Sequence, residues 1–323
     1  MTRNLKILFI SVIAGLIAVI GGFIFYNSLF GAPQVDAKPE RFVVPLGQSS
    51  GDTVEDLYEE GFIKNKWGFG IVLGPFAIKP GGYELSKNMN VWQVAEALEN
   101  PYMEWVTIPE GLRKEEIAAV FKDKLGWSET DKGRWISDYT ALDFDHTEGV
   151  YFPDTYLIPK NESPFDVAKR LRARFEEKFA SYADDAAKQN IKWTTVLKLA
   201  SLIQREAAGK NDMPLIAGIL WNRLNIGMRL EVDATLQYIK GNEQVGWWPK
   251  VIPSDKQIDS PYNTYKFKGL PPHPISNPGI DAISAALNPA KTDCLFYLHD
   301  GKGDIHCAKT YSGHKENIEQ FLK

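Results

Sequence analysis

The sequence is poor in cysteine and shows no metal-binding pattern. Its 323 residues include two cysteines, Cys294 and Cys307, with no Cys-x-x-Cys pair, and five histidines without His-Glu-x-x-His or other ligand spacing. We therefore expect neither a metal site nor a cofactor. The two cysteines fall in what the pattern predicts to be neighbouring strands. They can form a disulfide in an oxidising compartment or stay as two buried free thiols.

The sequence also lacks a long run of one charge. Lys and Arg number 37, Asp and Glu number 41, and the net charge is −4. No basic tract is long enough to follow a phosphate backbone, so nucleic acid is not an expected partner. With 44% hydrophobic and 12% aromatic residues, the composition excludes a disordered chain. Aromatic rings also suit a carbohydrate-binding surface, although a place in the core is the stronger expectation for any single one.

One long apolar run is present near the amino terminus. Ile7–Phe25 is long enough to span a bilayer as a helix. Arg3 and Lys6 precede it and the next basic residue is Lys38, so the positive-inside rule keeps the short tail in the cytoplasm and places the rest outside. The predicted segments are a cytoplasmic tail over 1–6, a transmembrane helix over 7–26 and a linker over 27–40.

A cleaved signal peptide is the alternative for this run. Val35-Asp36-Ala37 is a tolerable cleavage pattern, but the run is longer than a usual signal-peptide core and this site lies well past its end. We therefore predict a single-pass anchor in the cytoplasmic membrane, with the following domains extracytoplasmic or periplasmic. ATP and dinucleotides are scarce there, which favours hydrolase, lyase or binding chemistry.

The predicted fold class is α+β, with a small module before a larger domain. Over 41–110, short strands and helices alternate, which predicts a small α+β module that either binds glycan or serves as a spacer. Its predicted elements are a strand at Arg41–Pro45, a helix from about Asp52, a turn at Lys79–Tyr83, a helix at Val91–Leu98 capped by Asn90, and a strand at Trp105–Gly111. A connecting helical region over 111–147 follows.

The segment 148–323 predicts a larger mixed α/β domain. Its stretch Pro253–Gly279 is rich in Pro, Gly and Asn and predicts a long loop, which in a compact domain is usually functional. The elements predicted around it are helices at Phe165–Tyr182, Thr195–Ala208, Asp212–Ile226 and Gly279–Leu287, and a strand at Cys294–His299.

The helix at Thr195–Ala208 carries the residue best placed for chemistry, Glu206. On a helical projection Arg205 points away from the apolar face, whereas Glu206 falls at its margin, in the last turn before the stop signal Gly209. An apolar margin and the negative end of the helix dipole both raise a carboxyl pKa. A glutamic acid that is protonated near neutral pH can protonate a glycosidic oxygen. The alternative is a surface glutamate paired with a nearby Lys or Arg.

The long loop supplies a second set of polar side chains. Tyr262, Asn263 and Thr264 offer the donors and acceptors that sugar hydroxyls and N-acetyl groups require. The alternative for these three residues is turn chemistry that holds the loop together.

Several short segments have a family likeness when they are taken together. They are Glu148–Tyr156, Leu199–Glu206, Asn222–Leu224, Gly227–Leu230, Asp233 with Thr235, Ser260–Tyr265, Gly269–Pro272 and Asn277–Gly279. In this order they resemble the MltG/YceG-like endolytic murein transglycosylases, from the anchor to the end of the chain. The sequence departs from the family pattern at Ala234, His273 and Gly313–Lys315, which bears on loop shape and strand-length preference but not on the catalytic position.

The resemblance implies a fold and an activity. It implies a LysM-like module after the anchor and a catalytic domain over 148–323, with Glu206 as the single catalytic residue and Gln204 at a dispensable position. The implied lyase cleaves nascent glycan strands between N-acetylmuramic acid and N-acetylglucosamine, leaves 1,6-anhydro ends and terminates strand elongation. The expected sugar-orienting and supporting residues are Tyr262, Asn263, Thr264, Asn222, Asp233 and Thr235. The expected partners are peptidoglycan strands, the membrane and peptidoglycan synthases.

Two other functions remain open from the sequence. Glu231 or Asp233 could act as a hydrolytic base, which would give reducing ends in place of anhydro ends. Alternatively, the chain could be a non-catalytic anchored scaffold that binds glycan and recruits synthesis enzymes, an arrangement that suits a small module on a single span.

Overall fold

The computed structural model of the protein describes residues 3–140 and 148–322. The chain forms two compact units, Met1–Trp105 with Tyr156–Asn161, and Val106–Thr155 with Glu162–Lys323. Residues 1–2 of the predicted tail, 141–147 of the predicted connecting region and Lys323 lie outside the described residues. The fold mixes helix and sheet and begins with an apolar helix, as predicted.

The first unit begins with α1 (Arg3–Phe30). Its stretch Phe9–Phe30 has 22 residues and is long and apolar enough to cross a membrane. At about 1.5 Å per residue it reaches roughly 33 Å, close to the thickness of the hydrocarbon core of a bilayer. By length and composition α1 is compatible with the predicted anchor, and a signal sequence passes the same test.

A four-stranded sheet in the order β1-β2-β3-β4 follows. The strands are β1 (Glu40–Val44), β2 (Gly81–Leu85), β3 (Met103–Thr107) and β4 (Thr155–Pro159), of which β3 and β4 carry the chain between the two units. The helices of the first unit are α2 (Ser50–Glu59), α3 (Lys66–Leu73) and α4 (Val91–Ala97). Phe42, Leu57, Tyr83 and Val94 belong to its apolar core. Asn90 caps α4 through a capping box, as predicted.

The turn predicted at Lys79–Tyr83 is wrong, because β2 begins at Gly81. The two glycines permit a close strand approach there. A Cβ on Gly82 would lie 2.8 Å from the Met103 side chain, and one on Gly81 would lie 2.8 Å from the Met103 carbonyl oxygen. The prediction failed because paired glycines are typical of turns, whereas here they lie inside a strand and allow the neighbouring chain to approach closely.

The second unit is mostly helical. Its elements are α5 (Lys114–Leu125), α6 (Glu129–Arg134), a π-helical turn at Trp135–Tyr139, α7 (Pro164–Lys188), α8 (Trp193–Glu206), α9 (Met213–Asn225), α10 (Asp233–Lys240), a 3-10 turn at Pro253–Gln257, α11 (Ile280–Leu287), β5 (Phe296–His299), β6 (Ile305–Ala308) and α12 (Tyr311–Phe321). Strands β5 and β6 form an antiparallel hairpin with Tyr297 opposite Cys307.

The core of the second unit confirms the helix predictions around the long loop. Helix α8 packs against α9 and α11, and it buries Val196, Leu199 and Ile203 as its periodicity predicts. The predicted helix at Phe165–Tyr182 extends further, to Lys188. The stretch Pro253–Gly279 is a loop apart from its 3-10 turn, as predicted. Helix α10 was not among the predicted elements.

Gly218 sits where α9 meets the chain that leads to β5, and its replacement tests this packing. A Cβ there would lie 2.3 Å from the Ala290 carbonyl oxygen. We expect Gly218→Ala to lower stability by about 1–3 kcal/mol, measured as a fall in Tm. Gly133→Ala in α6 is the matched control, since no described atom lies within 4 Å of an added Cβ. This control should gain up to about 1 kcal/mol from helix propensity. Equal Tm shifts for the two variants would contradict the packing argument.

Candidate active site

Glu206 is the last residue of α8, and the side chain of Asp212, six residues further on, ends the helix. Ala207 has extended backbone, and the amides of Ala208 and Gly209 both donate to the Asp212 carboxylate at 3.0 Å. The predicted glycine stop is therefore wrong, because Asp212 takes the amides that would continue the helix. Asp212 stands before α9 as predicted, but its side chain turns back to this loop. Glu206 is thus held at a helix end of fixed geometry.

The Glu206 carboxyl group is partly buried, with specific polar contacts. The Tyr297 hydroxyl donates to its Oε2 atom at 2.6 Å. Burial raises the pKa of Glu206 above its ordinary value, and hydrogen bonds from Tyr297 and the Ala234 backbone offset only part of that increase. The neighbouring Asp233 carboxylate raises the pKa further. Such a carboxyl group can donate a proton at a pH where an exposed one is ionised.

Tyr297 is presented by the β5–β6 hairpin, which side chains of α9 fasten in place. Asn222 donates through Nδ2 to the carbonyl oxygens of Thr292 (2.9 Å) and Cys294 (3.1 Å). Arg223 donates through Nε to the Leu295 carbonyl oxygen at 2.6 Å. Of the two alternatives for the cysteines, the disulfide between Cys294 and Cys307 is the one present. Asn222, a predicted support residue, therefore binds the backbone that leads to Tyr297.

The amino-terminal end of α10 lies beside the Glu206 carboxyl group, where the Ala234 backbone donates a hydrogen bond to it. Asp233 is exposed, and it accepts a hydrogen bond from the Tyr265 hydroxyl at 2.6 Å. Burial, followed by the bond to Asp233, raises the pKa of Tyr265. Thr235 is buried and its hydroxyl lies 3.0 Å from that of Thr264. Asp233 is therefore placed at the site, whereas Thr235 supports the helix start behind it.

The three loop residues predicted to orient a sugar differ in their placement. Asn263 and Thr264 are 0% and 2% exposed. Asn263 donates to the Ile258 carbonyl oxygen at 2.8 Å, and the Thr264 hydroxyl accepts from the Val232 amide at 3.0 Å. Their polar groups therefore fix the loop, which is the turn chemistry left open from the sequence. Tyr262 is partly exposed and packs against Tyr238 with ring centroids 5.0 Å apart.

The helical projection predicted that Arg205 points away from the apolar face of α8, and in the structure the ring of Trp248 covers its side chain. Arg205 is partly buried, and its guanidinium lies 3.8 Å from the ring centroid of Trp248. Burial lowers the pKa of Arg205 below its ordinary value. Within residues 3–140 and 148–322, no group accepts a hydrogen bond from its buried Nε atom. A tryptophan from the loop after α10 thus covers the residue next to Glu206.

A hydrogen-bonded pair of titratable side chains, His299 and Asp212, lies beside Tyr297. His299 Nε2 is 2.7 Å from Asp212 Oδ2, and the His299 and Tyr297 rings are 6.2 Å apart in an edge contact. Burial favours a higher pKa for Asp212, but the hydrogen bonds from His299 and from Ala208 and Gly209 lower it overall. In the described part of the chain, no group of three or more His, Cys, Asp or Glu side chains is placed to hold a metal ion.

The family of the chain follows from its sequence match. The YceG-like family pattern matches residues 42–320, which is most of the chain and includes every residue of the site above. The chain belongs to the YceG-like family.

The YceG-like chain has relatives whose function has been named. It is 30% identical to a Bacillus subtilis (strain 168) protein named endolytic murein transglycosylase, over 94% of this chain and 91% of that protein. Two Streptococcus pneumoniae proteins of the same name, from strains D39 and R6, are 26% identical over 94% of this chain, which spans 62% of their length. A crystal structure of a Listeria monocytogenes protein described as yceG-like matches with a TM-score of 0.61 and 29% identity, covering 87% of this chain and 99% of that one.

Little in the sequence of this YceG-like chain points to Tyr297 as a contact of Glu206. The two residues are 91 positions apart, so no helical or strand period links them. One available signal is strand alternation, which places Tyr297 and His299 on the same face of β5. Tyr265 lies within a family-like segment, but the sequence does not show that its hydroxyl reaches Asp233.

Tyr297→Phe is expected to raise the pKa of Glu206. The tyrosine hydroxyl stabilises the charged carboxylate, so its loss favours the protonated form. A hydrogen bond to a charged group contributes about 1.5–3 kcal/mol, which corresponds to roughly 1–2 pKa units. Carbon-13 NMR titration of glutamate-labelled protein measures the change, with Glu206→Gln assigning the resonance. An unchanged or lowered pKa would contradict the role given to the hydroxyl.

Proposed function

We propose that this chain is an endolytic lytic transglycosylase that cuts peptidoglycan strands between N-acetylmuramic acid and N-acetylglucosamine. The observation that carries the proposal is the Glu206 carboxyl group, partly buried with a raised pKa and held by Tyr297. Membership of the YceG-like family and the names of the relatives support the substrate class.

Glu206 would serve both proton transfers of the reaction. As an acid it protonates the bridging oxygen, and the bond from that oxygen to C1 of the muramic acid breaks. As a carboxylate it then accepts the proton of the muramic acid 6-hydroxyl, whose oxygen bonds to C1 and closes the 1,6-anhydro ring. No water is consumed, so the second carboxylate of ordinary glycosidases is unnecessary. The N-acetyl oxygen of the substrate can support the positive charge at C1.

The surrounding residues have distinct proposed roles. Tyr297 orients the carboxyl group through its 2.6 Å hydrogen bond. Tyr265 and Asp233 form an exposed polar pair beside it, suited to sugar hydroxyls, and Tyr262 offers a partly exposed ring to a sugar face. Asn222, Thr235, Asn263 and Thr264 act as positioning residues, since their hydrogen bonds go to the protein.

We propose an extracytoplasmic location for this chemistry, with α1 as an uncleaved single-pass anchor and the amino terminus in the cytoplasm. The small α+β region of the first unit is proposed to be a LysM-like module that binds glycan. An anchored enzyme of this kind would cut nascent strands beside the peptidoglycan synthases and so terminate their elongation.

Digestion of isolated peptidoglycan by the detergent-solubilised full chain tests the function. We expect soluble fragments with 1,6-anhydromuramic acid ends, which mass spectrometry recognises because the loss of one water makes them about 18 Da lighter than fragments with reducing ends. Reducing ends would point instead to a hydrolase with Glu231 or Asp233 as the base. Binding to peptidoglycan without release of fragments would support the scaffold function and contradict the proposal.

A further inference from the structure

The first unit exposes large apolar side chains on one face of α3 and on the loop after it. Trp67, Ile71 and Phe76 are 66%, 54% and 67% exposed. Trp67 and Ile71 are four residues apart, so they lie on the same side of the helix, whereas Phe69 is buried in the core. Several large exposed apolar side chains on one short helix and the loop after it mark an interaction surface more often than isolated apolar residues do, and these residues are here called the patch.

The last turn of α1 packs directly on the elements that carry this patch. The Leu29 carbonyl oxygen approaches Gly68 of α3 so closely that an added Cβ would lie 2.4 Å from it. On α4, the Trp92 ring lies 5.1 Å from the Phe30 ring and 6.0 Å from the Tyr26 ring, between centroids. Trp92 is itself 43% exposed. The patch therefore begins beside the carboxyl end of α1.

The length of α1 fixes the depth of these contacts in a bilayer. The apolar stretch ends at Phe30, and its roughly 33 Å span slightly exceeds a hydrocarbon core of about 30 Å. Phe30 then lies at the outer boundary of the core, and Tyr26 lies about 6 Å inside it, one turn earlier in the helix. Because Trp92 contacts both rings, it lies in the same outer part of the bilayer, where Trp and Tyr are the favoured side chains.

We propose that the face formed by Trp67, Ile71, Phe76 and Trp92, here called the interfacial face, rests in the outer boundary of the lipid bilayer. The partner is the lipid surface itself. The argument for lipid is continuity, since the interfacial face adjoins the spanning helix and shares its aromatic boundary residues. A groove of about 430 Å³ opens between α4 and the loop after α3, and its lining combines the apolar Leu73, Phe76 and Trp92 with the charged Lys79, Glu96 and Glu99, a mixture that suits the boundary between lipid and water.

If so, the first unit contacts the membrane through the interfacial face as well as through α1, and its orientation relative to the bilayer is fixed. This inference requires α1 to be an anchor, but it does not depend on the proposed transglycosylase activity. Its test therefore uses no activity measurement.

Depth-dependent quenching in vesicles tests the interfacial face. Full chains with a single added cysteine, Ile71→Cys or Glu84→Cys, are labelled with a fluorophore and reconstituted in phosphatidylcholine vesicles that contain nitroxide lipids. The native cysteines are joined in a disulfide and do not react. Glu84 is the matched control, because it is exposed on β2, on the sheet face opposite the buried Tyr83. We expect nitroxide lipids to quench the label at position 71 several-fold more than the label at 84.

Each other outcome overturns the proposal. Equal quenching at positions 71 and 84 would mean that the patch faces water. Quenching at 71 that grows with the protein-to-lipid ratio, and not with nitroxide lipid, would mean that a second copy of the chain covers the patch. A Val19→Cys label reports on α1 itself, and weak quenching there would mean that the helix does not span the bilayer. Circular dichroism identical to that of the parent confirms that each variant is folded.

Discussion

Glu206→Gln is expected to lower the rate of glycan cleavage about 10²–10⁴-fold, the contribution typical of a positioned general acid–base group. The amide has nearly the same shape as the acid, and its oxygen can still accept the Tyr297 hydrogen bond. It cannot donate a proton to the bridging oxygen or accept one from the 6-hydroxyl. The loss should therefore appear in kcat with little change in KM, measured as the rate of fragment release by the full chain.

The matched control for this variant is Glu177→Gln, an exposed glutamate of α7 paired with Arg174 at the surface. It should retain the parent rate. A Glu206→Gln enzyme as active as the parent would overturn the site assignment. Activity that survives in Glu206→Gln but is lost in Asp233→Asn would move the chemistry to the carboxylate on α10.

The stability of Glu206→Gln supplies a second readout with a definite sign. The pKa of Glu206 is higher in the folded protein than in the unfolded chain, so ionisation of this group opposes folding. The folded state is therefore most stable below the unfolded pKa, and this contribution to the free energy of unfolding is lost as the pH rises through the folded pKa. A neutral amide does not carry this cost. The variant should therefore have a higher Tm than the parent at neutral pH, and the gain should shrink as the pH falls toward the unfolded pKa. A lower Tm at neutral pH would contradict the burial of this carboxyl group.

Asn277→Ala is expected to give the largest loss of stability, about 3–5 kcal/mol. Asn277 is 0% exposed, and its Oδ1 accepts from the amides of Gly149 and Tyr151, both at 2.9 Å. Its Nδ2 donates to the Leu112 carbonyl oxygen at 3.0 Å. Alanine leaves the buried amides of Gly149 and Tyr151 without their acceptor, at a cost of about 1–3 kcal/mol each, whereas the Leu112 carbonyl oxygen keeps its bond from the backbone amide of residue 277. Denaturation of the full chain in detergent, followed by tryptophan fluorescence, measures the change.

Asn288→Ala is the control for that loss. Asn288 is exposed at the end of α11, and its side chain makes a local bond to the Ser284 carbonyl oxygen at 3.2 Å. This variant should change stability by less than about 1 kcal/mol. If the two asparagine variants unfold at the same denaturant concentration, the network centred on Asn277 does not hold the second unit together.

Elements with a strong local period could be predicted from the sequence. The 3.6-residue period of α8 and the capping residue of α4 both correspond to observed elements. The end of α8 was predicted two residues too late, at Ala208, because residue type does not show that the Asp212 side chain accepts the amides of Ala208 and Gly209. The same limit applies to β2, where paired glycines have the composition of a turn but serve a close strand approach.

In the candidate site, too, the sequence predicted what depends on the helical period and missed what depends on tertiary contacts. Helical spacing placed Glu206 at a desolvated margin, and burial is also the main cause of its raised pKa. The helix dipole was the other expected cause, whereas in the structure the neighbouring charge with the largest effect on this pKa is the Asp233 carboxylate. Residue type alone does not show which loop residues can reach a sugar. Tyr262 is partly exposed, whereas the side-chain amide of Asn263 is hydrogen-bonded to the loop backbone. The contact between Tyr297 and Glu206 depends on the tertiary fold, so the sequence alone does not predict it.

The most direct test of the central claim is digestion in water enriched in oxygen-18, with mass spectrometry of the new glycan ends. If one carboxyl group carries both proton transfers and the 6-hydroxyl attacks C1, the new muramic acid ends are anhydro and contain no oxygen-18. Oxygen-18 at C1 of the new ends, formed during cleavage by the parent enzyme, would show that water is the nucleophile and would contradict the account.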